Sequence, residues 1–97
     1  MTEIIWEFVV REECAQEFEK HYSASGTWAE FFRRSPAYHG TKLLAGEGHR
    51  YLTWDTWDSQ EAYEEFRLAN RQEYDELDDR FQALTVSERC LGVFQMK

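Results

Sequence analysis

The side chains in this sequence that could do chemistry are an asparagine and two tyrosines on one helical stripe, three histidines, and several paired acids. From Tyr63 the residues Tyr63, Phe66, Tyr74, Leu77, Phe81 and Leu84 recur at steps of three and four. Asn70 holds the one slot in that series where an apolar residue is due. Such a stripe covers one helix face and is buried against another layer. A polar side chain on it is either satisfied by a neighbour or open to a ligand. Asn70 therefore reads as a helix bend with a satisfied contact, or as a hydrogen-bond donor facing a pocket. His39, between Tyr38 and Gly40 in a strand, reads as a surface or sheet-packing residue, or as a proton-handling group titrating near neutrality. His21 and His49 fall on a solvated helix face and in a turn, and neither is given a role.

The remaining candidates point to packing or solvation. Glu64-Glu65, Asp75-Glu76 and Asp78-Asp79 spread around exposed helix faces, where charge serves solvation. Trp28, Trp54 and Tyr74 are core or interface aromatics first, since aromatics carry much of the burial in a small domain. Asp55, in mid-strand, is expected to pair with Lys42 or an arginine across the sheet, because an unpaired buried carboxylate is costly. No His/Cys/Asp/Glu cluster has metal-ligand spacing. Gly46-x-Gly48 sits in a hairpin and lacks the strand-to-helix context of a phosphate loop.

Periodicity supplies the elements that must position these residues. A first strand is expected over about Glu3 to Arg11, with Ile4, Trp6, Phe8 and Val10 on one face and Ile5, Glu7, Val9 and Arg11 on the other. A helix follows from about Glu13, carrying Cys14, Phe18 and Tyr22 on one side, and Gly26 reads as its stop. Thr27 and Glu30 have capping-box spacing for a short second helix, which ends before Pro36. Tyr38 to Leu44 and Arg50 to Trp57 form a hairpin around the turn Ala45 to His49. On the return strand Tyr51, Thr53, Asp55 and Trp57 share a face. Asp58 and Glu61 repeat the capping-box spacing and open a long helix to about Leu84, bending near Asn70. Thr85 to Glu88 reads as a turn and Arg89 to Met96 as a last strand.

The order β-α-β-β-α-β implies an α+β fold: a four-stranded antiparallel sheet with both helices on one face. The other sheet face is left bare, and a second copy packed sheet to sheet would cover it. Residues 1–97 make a single domain, and 42% hydrophobic residues are enough for its core. A net charge of −8, with no Lys/Arg cluster, argues against nucleic acid and anionic membrane as partners. No apolar run is long enough to span a bilayer, and no signal sequence is seen. Cys14 and Cys90 form no disulfide framework, so the expected location is cytoplasmic, with both thiols reduced.

Several stretches together resemble a known family. Gly26-x-Trp28-x-x-Phe31-Phe32, Ala37-Tyr38-x-Gly40-Thr41-x-Leu43-Leu44, Arg50-Tyr51-Leu52-Thr53-x-Asp55-x-Trp57 and Ala62-Tyr63-x-x-Phe66-Arg67 resemble the antibiotic biosynthesis monooxygenase superfamily. Tyr74-x-x-Leu77-Asp78, Leu84-Thr85-x-x-Glu88 and Leu91-Gly92-x-Phe94 extend the likeness over nearly the whole chain. The resemblance implies a ferredoxin-like βαββαβ protomer and a homodimer through the sheet face, the dimeric α+β barrel. In the haem-degrading members a histidine on the second helix binds iron. This chain has none between Ser59 and Leu84, so neither haem nor any other cofactor is expected, and no metal.

The remaining branch implies a cofactor-independent monooxygenase that oxidises a small aromatic molecule, polyketide- or quinol-like, in a dry pocket between helices and sheet. Its chemistry requires a deprotonated phenol and donors that hold the anion. The resemblance then implies catalytic roles for Asn70, Tyr74 and His39, with Asn70 donating and His39 taking the proton. Trp28, Phe32, Trp54, Tyr63 and Phe66 would line the substrate. A positioning arginine is implied as well, and spacing singles none out. The alternative is a non-catalytic dimeric module that binds a small ligand or serves a partner domain. An enzyme needs an enclosed cavity where polar groups converge; a structural module could fill that space with Trp28, Trp54 and Phe66.

Overall fold

Alternation decides the sheet. In the computed structural model, which describes residues 1–97, strand β1 (Thr2–Val10) turns Ile4, Trp6, Phe8 and Val10 to one face, as a period-two pattern must. The other strands are β2 (Tyr38–Ala45), β3 (Arg50–Trp57) and β4 (Thr85–Gln95). Their order is β2-β3-β1-β4, with every neighbouring pair antiparallel. Helices α1 (Ala15–Tyr22), α2 (Thr27–Phe32), α3 (Gln60–Ala69) and α4 (Arg71–Phe81) pack on the face that carries Ile4, Phe8 and Trp57. The expected βαββαβ order holds, each of its helical segments being a broken pair.

The breaks have local causes. Gly26 does not stop α1, which ends at Tyr22; it caps the start of α2 with φ −83°. A Cβ on Gly26 would lie 2.6 Å from the backbone carbon and oxygen of His21, so only glycine lets the two helices meet this closely. Thr27 forms no capping box, because its Oγ1 bonds His21 Nδ1 at 2.7 Å instead. At the next junction the cap is Ser59, not Asp58: Ser59 Oγ accepts from the Ala62 N–H at 3.1 Å. The bend expected near Asn70 is a full break. Asn70 leaves helical geometry at φ −120° and ψ 31° and separates α3 from α4. A 3-10 turn over Gln82–Leu84 leads straight into β4, which starts four residues earlier than expected since Thr85 already pairs with Val10.

Two aromatic clusters fill the space between helices and sheet. One joins Ile4, Phe31, Phe32, Tyr38, Trp57, Tyr63 and Phe66; the other joins Phe8, Val10, Phe18, Tyr22, Tyr51 and Phe81. Trp6, Trp28 and Leu77 pack against both. Phe18 and Trp57 have no exposure at all, and burying each such ring contributes roughly 1.5–3 kcal/mol.

The opposite sheet face has no helix over it. Ile5, Leu52 and Trp54 lie there partly exposed, with Leu44 and Phe94 well exposed. The acids on this face are satisfied: Glu7 accepts from both Arg50 and Arg89, and Glu3 accepts from Trp54 Nε1 and Thr56 Oγ1. No helix is long and apolar enough to cross a membrane.

Candidate active site

A cavity of ≈ 100 Å³ opens on the seam between the two aromatic clusters. The sheet supplies its floor: Trp6 and Phe8 from β1, Thr41 from β2, Thr53 and Asp55 from β3, and Glu88 from β4. Its roof is Tyr22 from α1, Trp28 and Phe32 from α2, Tyr63 and Arg67 from α3, and Tyr74 and Asp78 from α4. Strand pairing explains the floor. Thr41 is opposite Asp55, and Thr53 opposite Trp6, so alternate residues of three strands point into one space.

The α3–α4 break brings the roof together. Tyr63 and Arg67 lie one turn apart on α3, and beyond the break Tyr74 returns to meet both. The Tyr63 and Tyr74 hydroxyls are 3.3 Å apart, and the Arg67 guanidinium sits 4.6 Å from the Tyr74 ring centre. Trp28 meets the same ring edge-on at 5.1 Å. Burial pushes the phenols of Tyr22, Tyr63 and Tyr74 up, so each keeps its proton at neutral pH. Trp28 Nε1–H is buried and meets no acceptor.

Three carboxyls and one arginine line the cavity. Burial pushes Asp55 up to about 6, against the smaller opposing effect of its hydrogen bond from Thr41. Asp78 is raised by burial and then by its acidic neighbours Asp79 and Asp75; Glu88 is raised by burial and then by Asp78. A site with these groups suits a neutral ligand that donates a hydrogen bond, and it disfavours a second carboxylate.

Of the residues expected at the site, Trp28, Phe32, Tyr63 and Tyr74 line the cavity. The other four lie elsewhere. Phe66 turns into the core, its ring 5.1 Å from Phe31 and 5.7 Å from Trp57. Trp54 is on the bare sheet face, where its Nε1–H donates to Glu3 at 2.7 Å. His39 sits at the irregularity between Tyr38 and Gly40, is exposed, and bonds Asp58 at 2.5 Å. Asn70 Nδ2–H donates to the Phe66 carbonyl at 2.9 Å, and its side chain borders an outer depression beside Arg71 and Glu73.

The structure also brings in residues that sequence reasoning passed over. Asp55 does not pair with Lys42, whose ammonium lies 5.6 Å from the Trp54 ring on the opposite face. Its partner is Thr41 Oγ1, which donates to Asp55 Oδ1 at 2.5 Å. The signal was present: Asp55 shares strand parity with Tyr51, Thr53 and Trp57, which places a carboxylate on the helix-covered face. Arg67, four residues after Tyr63, was legible by the same helical spacing. Glu88 was hidden because its segment read as a turn.

No family model matches the chain, and no curated protein matches it in sequence. Solved structures do match the fold. SnoaB, a cofactor-independent oxygenase from Streptomyces nogalater, is 21% identical with a TM-score of 0.77, over 99% of this chain and 92% of that one. A monooxygenase from Streptomyces coelicolor in complex with nanaomycin D is 16% identical with a TM-score of 0.76, over 99% of this chain and 87% of that one. A conserved protein from Methanosarcina mazei, named without an activity, has a TM-score of 0.76 at 9% identity, over 99% and 92% of the two chains. Along its whole length, this chain therefore has the fold of the antibiotic biosynthesis monooxygenase structures.

Proposed function

We propose that this protein is a cofactor-independent monooxygenase that oxidises a flat aromatic phenol, polyketide- or quinol-like, inside the cavity. The observation that carries this reading is the open space on the seam, where polar groups converge between aromatic walls. A purely structural module would plug that space. Here Trp28 stands on its wall, Phe66 is spent in the core, and Trp54 is on the other side of the sheet. The solved oxygenases of the same fold support the reading.

In the proposed reaction the phenol ionises, and the electron-rich ring reduces dioxygen. The substrate loses two hydrogens, the phenolic one and one from a ring carbon, and that carbon gains one oxygen atom; the other oxygen leaves as water. The four electrons that dioxygen accepts all come from the substrate, so the reaction requires no external reductant. The protein's part is to exclude water, to stack the ring among Trp28, Phe32 and Tyr63, and to balance the anion with Arg67 and hydroxyl donors. We further propose that the protein works as a homodimer through the bare sheet face.

The test is oxygen consumption by purified protein with a panel of anthrones and hydroquinones, followed by mass analysis of product made under heavy-isotope dioxygen. The expected result is substrate-dependent uptake with one labelled oxygen in the product. Binding of these phenols without uptake would leave a ligand-binding module, and neither binding nor uptake would sink both readings.

A further inference from the structure

The reaction proposed above needs a group that removes the phenolic proton, and this inference rests on that reading. Such a group must border the cavity, be ionised near neutral pH, and keep an oxygen free for the ligand. His39 does not qualify, being outside and bonded to Asp58. Tyr63 and Tyr74 hold their own protons too tightly. Asp78 and Glu88 are more exposed than Asp55 and no protein donor orients their carboxyls, whereas Asp55 is partly buried in the floor and held by Thr41.

The setting of Asp55 is built to orient a carboxylate. Thr41 Oγ1 has one hydrogen and donates it to Asp55 Oδ1, so its 2.5 Å contact with the Tyr38 hydroxyl must be one in which Tyr38 donates. The chain runs Tyr38 to Thr41 to Asp55 and ends in the cavity. No other donor of the protein bonds Asp55, and its Oδ2 remains for the ligand. We propose that Asp55 is the catalytic base that takes the ligand's phenolic proton, with Thr41 and Tyr38 as its positioning residues. In this step the ligand O–H bond breaks, an O–H bond forms on the Asp55 carboxyl, and the negative charge passes to the ligand oxygen. The cavity's total charge is unchanged, so no new charge has to be desolvated.

Burial raises Asp55 from 3.8 to about 6. That narrows the gap to an ordinary phenol by about a hundredfold while leaving the carboxylate ionised at neutral pH. The other titratable groups facing the same space are Tyr63 and Arg67 from α3, Tyr74 and Asp78 from α4, Tyr22 from α1 and Glu88 from β4, with Tyr38 of β2 behind Thr41. From β1 and α2 come only Trp6, Phe8, Trp28 and Phe32, which do not titrate.

Two measurements test this, on wild type, Asp55→Asn and Thr41→Val, with folding checked by circular dichroism. In oxygen uptake with a hydroquinone, Asp55→Asn should keep the wild-type KM within a few-fold and lose about 10²–10⁴ in kcat at neutral pH. Its rate should climb towards alkaline pH as solution ionises the phenol. Thr41→Val should move the acidic limb of the wild-type profile upward, since the lost hydrogen bond favours the ionised carboxylate. A nearly unchanged kcat in Asp55→Asn, or a defect in KM alone, overturns the assignment.

The second measurement needs no turnover: calorimetry of 4-nitrophenol binding, above its solution pKa, in buffers of different ionisation enthalpy. Wild type should take up about one proton per ligand bound and Asp55→Asn none. If the wild type consumes no oxygen but shows this difference, the oxygenase reading falls and Asp55 stands as the proton acceptor. Equal proton uptake by both proteins, or no binding by wild type, overturns the inference.

Discussion

Asp55 couples protonation to folding as well as to the proposed chemistry. Its folded value near 6 lies above the ordinary 3.8, so the folded chain holds this proton more tightly than the unfolded chain does. The stabilisation is complete below about pH 4 and is lost as pH rises through about 6. It amounts to about 2 kcal/mol, less than the full shift implies, because the carboxyl borders an open cavity. Glu7 and Glu73 act in the opposite sense. Hydrogen bonds from Arg50 and Arg89, and from Arg34, hold them below the usual carboxylate range, so they weaken the fold when acid protonates them. In Glu3 burial pushes upward, but the hydrogen bonds from Thr56 and Trp54 outweigh it. Comparing wild type with Asp55→Asn cancels these terms. The difference in urea unfolding free energy between the two should change by about 2 kcal/mol from pH 4 to 7; a flat difference would mean that Asp55 is well solvated.

At the scale of elements, the two helix breaks shape the cavity roof. Gly26→Ala must push α1 and α2 apart, because its Cβ would strike the His21 backbone. The expected loss is about 2 kcal/mol by thermal or urea unfolding, together with weaker ligand binding, since Trp28 moves with α2. Asn70 acts on the other break. Its side chain and its backbone N–H both bond the Phe66 carbonyl, and its own carbonyl accepts from the Tyr74 N–H. Asn70→Ala should therefore cost about 1 kcal/mol of stability and leave oxygen uptake within about twofold. A far larger loss of uptake at full stability would return Asn70 to the site. Periodicity showed where these helices pause but not why. A glycine that stops a helix and one that admits a neighbouring backbone look alike in sequence, and a polar residue on an apolar stripe does not say whether its partner is a ligand or the preceding turn.

At the scale of the molecule, the uncovered sheet face calls for a partner, and a second copy is the proposed one. Leu44, Trp54 and Phe94 are large and partly or well exposed there, flanked by acids and arginines already paired with one another. Sedimentation should give twice the mass of one chain for wild type and a single-chain mass for the Leu44→Asp, Phe94→Asp double variant. A wild-type protein that stays single at tens of micromolar would remove the dimer. With a net charge of −8, assembly should tighten as salt screens the mutual repulsion.

The sequence by itself determined the number and order of strands, the faces of β1 and β3, the stripe from Tyr63 to Leu84 and the fold that these imply. Each of these follows from local periodicity, which is written in neighbouring residues. Only the tertiary structure decided which polar groups meet. Asp55 reaches Thr41 through hairpin register, Arg67 reaches Tyr74 through a helix break, and His39 leaves the cavity through an irregular strand pairing. Such meetings depend on how separate elements dock, and a shift of one residue in register would exchange the faces and dissolve the site.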